Sequence, residues 1–306
     1  MRNALLFVAL ACVSACGGDS SPVTPTLPTP EITLTGHVTA TNGGQVLAGL
    51  SVDLSGHSAM TDAGGAFSYQ VAPGTSARLA LSGSGIVPRS LMVAVASTRT
   101  VAVDAIGMAG FDLNFYRQLV RNTSDAPEKL EPLRRWTRDP HVFLQTTALV
   151  DARTLDMVER TIRDAVAQWT AGRFSVATVE HGPDTREGQA GWLTIRWSSP
   201  NDATCGGAQV GYEGGRIDLY ANTTGCVCGG YGIGPNIVRH EVGHAMGFFH
   251  TDSRSDVMFK SAVVCDGSIS GRELAAAAIA YARPVGNTDP DSDPSGAVTL
   301  AAKRVP

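Results

Sequence analysis

His240-Glu241-Val242-Gly243-His244-Ala245-Met246-Gly247-Phe248-Phe249-His250 holds three of the chain's seven histidines. On a helix His240 and His244 stand about 400° of rotation apart, so they project from one face, a turn from each other. Two imidazoles so spaced can bind one zinc ion. Glu241 is then placed to hold a water at the open position on the metal. Gly247 permits the left-handed conformation that ends a helix, after which the chain can swing His250 round as a third ligand. Gly234-Pro235 suits the entry to such a helix. The competing reading is an amphipathic core helix whose histidines merely fall in register.

The extended pattern HExxHxxGxxH resembles the metzincin metalloproteases. Met258, in Asp256-Val257-Met258-Phe259, follows His250 by eight residues and fits the Met-turn of that family. The resemblance implies one catalytic zinc ion on His240, His244 and His250, with Glu241 as general base. It also implies a protein or peptide substrate, hydrolysed at internal bonds and lying extended along a sheet edge. By analogy the edge is the strand Arg216-Ile217-Asp218-Leu219-Tyr220. Among metzincins, the short spacing to the Met-turn and the compact domain are most similar to matrixins. Three departures from the family patterns matter. Phe259-Lys260 follows the methionine, where astacin-like enzymes supply a tyrosine as an extra metal ligand. No proline follows to shape a matrixin-like S1′ wall, and there is no matrixin-type cysteine-switch prosegment.

The surrounding pattern agrees with a zincin order. His141 to Val150 reads as a strand, and Leu155, Val158, Ile162, Ala165, Val166 and Trp169 recur at helical spacing. Phe174 to Val179, Trp192 to Trp197 and Arg216 to Tyr220 follow as strands. After the Met-turn, Ser270-Gly271-Arg272-Glu273 forms a capping box ahead of a final Ala-rich helix. The expected architecture is multidomain: an N-terminal all-β sandwich, then an α+β zincin-type domain. The latter has a twisted mixed sheet, zinc helix, Met-turn and C-terminal helix.

The β sandwich is read from period-two alternation in Ile32 to Val38 and Leu50 to Leu54, and from the turn Thr61-Asp62-Ala63-Gly64-Gly65 entering Phe67 and Tyr69. Gly36-x-Val38, Leu50-Ser51-Val52 and Gly65-x-Phe67 resemble the carboxypeptidase-regulatory-like, prealbumin-like module. Residues 31–107 are assigned to it, as a spacer, folding aid or docking module. Residues 108–139 are a linker or the start of the catalytic region, 140–286 the catalytic domain, and 287–306 a flexible tail. Asp289, Asp291 and Asp293 in that tail are calcium-friendly, but their prolines and terminal position favour the flexible reading.

At the other end, Met1-Arg2-Asn3 and the apolar run Ala4 to Val13 have the form of a signal peptide. Val13-Ser14-Ala15-Cys16 resembles a bacterial lipobox, which implies removal of residues 1–15 and lipidation of Cys16. Residues 16–30 form a Pro/Thr/Ser-rich tether. Gly17 rather than aspartate after the cysteine implies outer-membrane sorting, periplasmic or surface-facing. An ordinary secretory signal is the alternative. Cys205, Cys226, Cys228 and Cys265 suggest two disulfides outside the cytoplasm. Cys226 and Cys228 are too close to pair with each other, so their partners are Cys205 and Cys265 in either order. A second metal site is the rival reading.

The chain has 306 residues and a net charge of −4, and is 43% hydrophobic and 17% charged. That balance excludes wholesale disorder and, lacking a basic block, a nucleic-acid partner. The expected partners are a peptide substrate and, through the lipid anchor, a membrane, with the chain acting as a monomer. Two further functions remain open on sequence: a surface-binding lipoprotein with a vestigial zinc site, and a zinc hydrolase of non-peptide amides.

Overall fold

The computed structural model describes residues 30–198, 205–220, 233–261 and 263–305. The alternating segments at the N-terminal end form two sheets. In the first, β1 (Ile32–Ala40) lies between β4 (Ala66–Val71), antiparallel, and β7 (Arg99–Ala105), parallel. The second runs β3 (His57–Met60), β2 (Ser51–Leu54), β5 (Ser76–Ser82), β6 (Arg89–Ala94), antiparallel throughout. Alternate residues point inward, so Leu34, Val38, Val52, Leu54, Leu79 and Leu81 fill one core. The two glycine motifs meet across the ladder. Gly36 pairs with Phe67, whose ring covers the space a side chain would take. Tyr69 donates its hydroxyl to the carbonyl of Val52 in the opposite sheet (2.6 Å).

The second half is built on a six-stranded mixed sheet. Its strands are β8 (His141–Gln145), β9 (Thr178–Gly182), β10 (Trp192–Ser198), β11 (Gly206–Gln209), β12 (Arg216–Tyr220) and β13 (Arg304–Val305). They lie in the order β13-β11-β12-β10-β8-β9, with β9, β8, β10 and β12 parallel. β11 runs antiparallel to both β12 and β13. Helix α2 (Ala152–Trp169), N-capped by Asp151, buries Val158, Ile162, Ala165, Val166 and Trp169, the positions its periodicity predicts. Helices α3 (Pro235–Met246) and α4 (Gly271–Tyr281) complete the layer.

Residues 108–139 are no linker. They contain α1 (Leu113–Arg121), capped by Asp112, whose carboxylate accepts from the amides of Asn114 and Phe115. Tyr116, Leu119, Leu133 and Trp136 are buried in the same core as Trp169 and Val242. Nor are residues 287–305 a free tail. Asn287 and Asp291 are fully buried, and the three aspartates meet arginines. Arg117 holds Asp289 with two 2.8 Å bonds, Arg89 holds Asp291 and Asp293 at 3.0 Å, and Arg283 holds Asp291 at 2.7 Å. Arg89 lies in β6, so this run joins the sandwich to the second half. The periodicity of 287–293 is uninformative because ion pairs, not apolar burial, order it.

Among the described residues, no helix is long and apolar enough to cross a membrane. Residues 1–29, with Cys16, and Cys226 and Cys228 lie outside the described residues.

Candidate metal centre

Helix α3 starts at N-cap Gly234 with Pro235 in its first turn and ends at Gly247, whose φ is 117°. The left-handed turn is reinforced sterically, because a side chain at 247 would strike the carbonyl of Arg134. The last four carbonyls of a helix lack internal partners, and here each finds one. Gly243 and His244 accept from the amides of Phe248 and Gly247. Ala245 accepts from Trp136 Nε1 and Met246 from the Tyr281 hydroxyl, both at 2.8 Å. Those two aromatic donors, from opposite ends of the domain, fix the point where the chain leaves the helix toward His250.

The three imidazoles converge. His244 Nε2 lies 3.0 Å from His240 Nε2 and 3.2 Å from His250 Nε2. Each Nδ1 faces an oxygen acceptor: the carbonyl of Val257 (2.7 Å), the carbonyl of Phe248 (2.8 Å) and Asp125 Oδ2 (2.8 Å), for His240, His244 and His250 respectively. The Nδ1 atoms therefore carry the protons, and three bare Nε2 lone pairs point at one another. Such a cluster is repulsive unless a cation sits among them. Burial holds two of the rings neutral: it lowers His240 to about 4, helped by His250, and takes His244 well below its ordinary value. Among the described residues this is the one group of histidine, cysteine or acidic side chains able to hold a metal ion.

Glu241 points from the same helix and is 3% exposed. Its Oε2 has no hydrogen-bond partner among the described residues. Its other face is pressed against β11, where a Cβ at Gly206 would lie 2.5 Å from Oε1. Burial pushes the carboxyl up to about 8, against the opposing charge of Arg304. Among the described residues the site offers three imidazole donors and no fourth protein ligand, the donor set of an open zinc site rather than a closed structural one.

Met258 is fully buried beneath the histidines, with its sulfur where a side chain at Gly243 would be. The turn carrying it is held by Glu273, whose carboxylate accepts from the amides of Val257 (3.3 Å) and Met258 (2.9 Å). The capping box at Ser270 and Glu273 is present, but this second use of Glu273 had no signal in the sequence. Asp125 was missed too, since nothing local marks it as a partner for a histidine 125 residues away.

Arg216–Tyr220 is not at an edge. As β12 it is flanked by β10 and β11, and the strand beside Glu241 is β11. The Gly-Gly-Ala-Gln composition of β11 (206–209) hides it from alternation-based reading. Cys205, just before β11, and Cys265, after the Met-turn, are each disulfide-bonded.

Three converging histidines beside a buried glutamate, on a helix packed against a mixed sheet, define a candidate metal centre. Residues 134–264 match the family model described as the Astacin peptidase family, a metzincin family of zinc metallopeptidases. The match is to a different metzincin branch from the matrixins, so the matrixin-like subtype is not supported. It stands although Lys260, exposed, occupies the place of the ligand tyrosine. No curated protein matches the chain.

Among solved structures, an Acetivibrio cellulolyticus type II cohesin–X-dockerin complex is similar at 22% identity over 25% of this chain and 58% of that chain, with a TM-score of 0.22. A Bacteroides fragilis protein of unknown function is similar at 23% identity over 26% of this chain and 28% of its own, with a TM-score of 0.22. The chain thus spans less than two thirds of either.

Proposed function

We propose that this chain is a zinc-dependent endopeptidase. The reading is carried by the Nε2 atoms of His240 and His250 lying within 3.2 Å of that of His244, beside Glu241 Oε2, which has no hydrogen-bond partner among the described residues. His240, His244 and His250 would hold the zinc ion, which would supply a Lewis acid for the scissile carbonyl and lower the pKa of an attacking water. Glu241 takes the proton from that water at Oε2 and returns it to the leaving amine. The Nδ1 partners Val257, Phe248 and Asp125 keep the three rings in the tautomer that ligates. Met258 and Glu273 fix the floor beneath them. Substrate lies extended along the sheet edge beside Glu241, pairing through its backbone.

The assignment is tested on the purified chain by total metal analysis and casein hydrolysis. One zinc per chain is expected, with turnover abolished by chelator and by Glu241→Ala; unchanged turnover in Glu241→Ala would sink the mechanism.

The domain scheme belongs to the same reading, with residues 31–107 a β module in front of the peptidase. The lipobox-like Val13-Ser14-Ala15-Cys16 supports export as a lipoprotein, anchored in the outer membrane through Cys16. Labelling by a fatty-acid analogue that survives Cys16→Ser would refute it. Cys205 and Cys265 find their disulfide partners in Cys226 and Cys228, in an order that peptide mapping under non-reducing conditions would establish.

A further inference from the structure

The strand beside the general base already has an occupant. β11 offers its outer edge to β13, with Ala208 opposite Val305 and Gln209 opposite Arg304. The pairing continues past the strand, the amide of Val210 donating to the carbonyl of Lys303 (2.7 Å). Upstream, Arg134 Nη1 donates to the carbonyl of Ala301 (2.7 Å). Because β13 is antiparallel to β11, it runs toward Gly206, the residue pressed against Glu241.

Side chains of this segment alternate as those of a bound strand should. Val305 is buried with Val210 and Phe249, and the Lys303 ammonium lies over the Phe249 ring. Arg304 turns to the opposite side. Each basic group has an acid waiting: Lys303 Nζ meets Glu131 Oε1 at 2.7 Å, and Arg304 Nη2 meets Asp218 Oδ2 at 2.8 Å and the Tyr220 hydroxyl at 3.3 Å. Asp218 and Glu131 are both buried, at 3% and 7% exposure. Neither acid depends on the segment, since Arg196 and Arg216 also hold Asp218 and Arg134 holds Glu131.

We propose that the β11 edge is a binding site for an extended peptide carrying adjacent lysine and arginine, and that residues 301–305 fill it as a built-in competitor. This rests on the endopeptidase reading for its consequence: other polypeptides reach Glu241 only when the segment leaves, and those with a Lys-Arg pair compete for the edge best. A tethered strand acts at a high effective concentration, about millimolar for a short tether, so modest pairing suffices to hold it.

The test compares the full chain, a chain lacking residues 301–306, and a full-length Lys303→Glu/Arg304→Glu variant, each checked for an unchanged melting transition. The double variant guards against misfolding of the deletion, because it alters only side chains at the surface end of the site. Casein turnover should rise about tenfold or more in both. The synthetic peptide Ala-Ala-Lys-Arg-Val-Pro should inhibit the deleted chain, and the same peptide with two glutamates should not. Binding is read separately, by fluorescence anisotropy of the labelled peptide on a deleted chain that also carries Glu241→Ala. Saturable, salt-sensitive binding weakened by Glu131→Gln and absent from the full-length Glu241→Ala chain is expected.

Zinc-dependent turnover that neither variant raises, with no peptide bound, would overturn the strand site and leave the peptidase reading standing. Selective peptide binding with no hydrolysis in any variant would uphold the site and defeat the peptidase reading.

Discussion

Asp125 Oδ2 accepts a 2.8 Å hydrogen bond from His250 Nδ1. That bond ties the segment ahead of the sheet to the third ligand of the centre, and holds Asp125 below its ordinary carboxylate value despite the opposing pull of burial. His240 and His244 are oriented by main-chain carbonyls; His250, beyond the helix, is oriented by a side chain that can be changed.

Asp125→Ala is therefore expected to weaken zinc binding about 10- to 100-fold, the usual cost of losing a ligand's outer partner. Competition with a chromophoric chelator reads this directly, and Asp125→Asn, which keeps an acceptor oxygen, should recover much of it. An unchanged zinc affinity in Asp125→Ala would show that the fold alone orients His250.

Gly243 and Gly247 are expected to be intolerant of alanine for different reasons. At 243 a methyl group meets Met258 Sδ and the Trp169 indole, so the floor beneath the histidines must shift. At 247 the cost is conformational, since φ is 117°, with the Arg134 carbonyl in the way. Left-handed strain alone is about 1–2 kcal/mol. Urea unfolding of the metal-free variants should show each losing at least that much, and Gly243→Ala should also lower zinc affinity. A Gly247→Ala chain as stable as its parent would mean that the helix ends by some other device.

The helix and its ligands were legible because their determinants are local. Pro235, Gly247, the histidine spacing and the Ser270 capping box each act within a few residues of themselves. What was illegible depends on pairing across the chain. Asp125 looks like any loop aspartate until His250 is beside it. Arg216–Tyr220 has the alternation of an edge strand but lies inside, because the glycine-rich β11, with no apolar pattern, covers it. Residues 287–293 look disordered by composition, yet their aspartates find arginines from both halves of the chain. Charge pairing at long range leaves no periodicity to read.

That ion-pair run predicts how acid loosens the two halves. Burial pushes Asp104 up, but Arg283, Thr41 and Arg89 outweigh it and leave its value below 3.8. A carboxylate depressed in the folded chain contributes stability that is present above its unfolded value and lost as pH falls through its folded one. Stability should therefore decline below about pH 4, and Asp104→Asn should be less stable than the parent at neutral pH but close to it in acid. Arg283→Ala, which leaves buried Asp291 with Arg89 as its one arginine and takes Asp104 from its nearer one, should cost about 3 kcal/mol. Urea midpoints across that pH range check both; a constant difference between Asp104→Asn and parent would dissociate Asp104 from the acid limb.

Glu241 predicts the opposite slope in the metal-free chain. Burial raises its carboxyl from 4.5 to about 8, so between those values the folded chain keeps a proton that the unfolded chain releases. Stability must then fall as pH rises through that window, by about 1.4 kcal/mol for each unit between the two values. Glu241→Gln carries no such proton. With chelator present, its unfolding free energy should exceed that of the parent by an amount that grows from about pH 5 to about pH 8 and then levels. Zinc should shrink the difference, because a cation beside Glu241 stabilises the carboxylate the metal-free fold penalises. If the metal-free difference stays flat across the window, Glu241 is solvated in solution and its isolation beside Gly206 is not what sets its proton affinity.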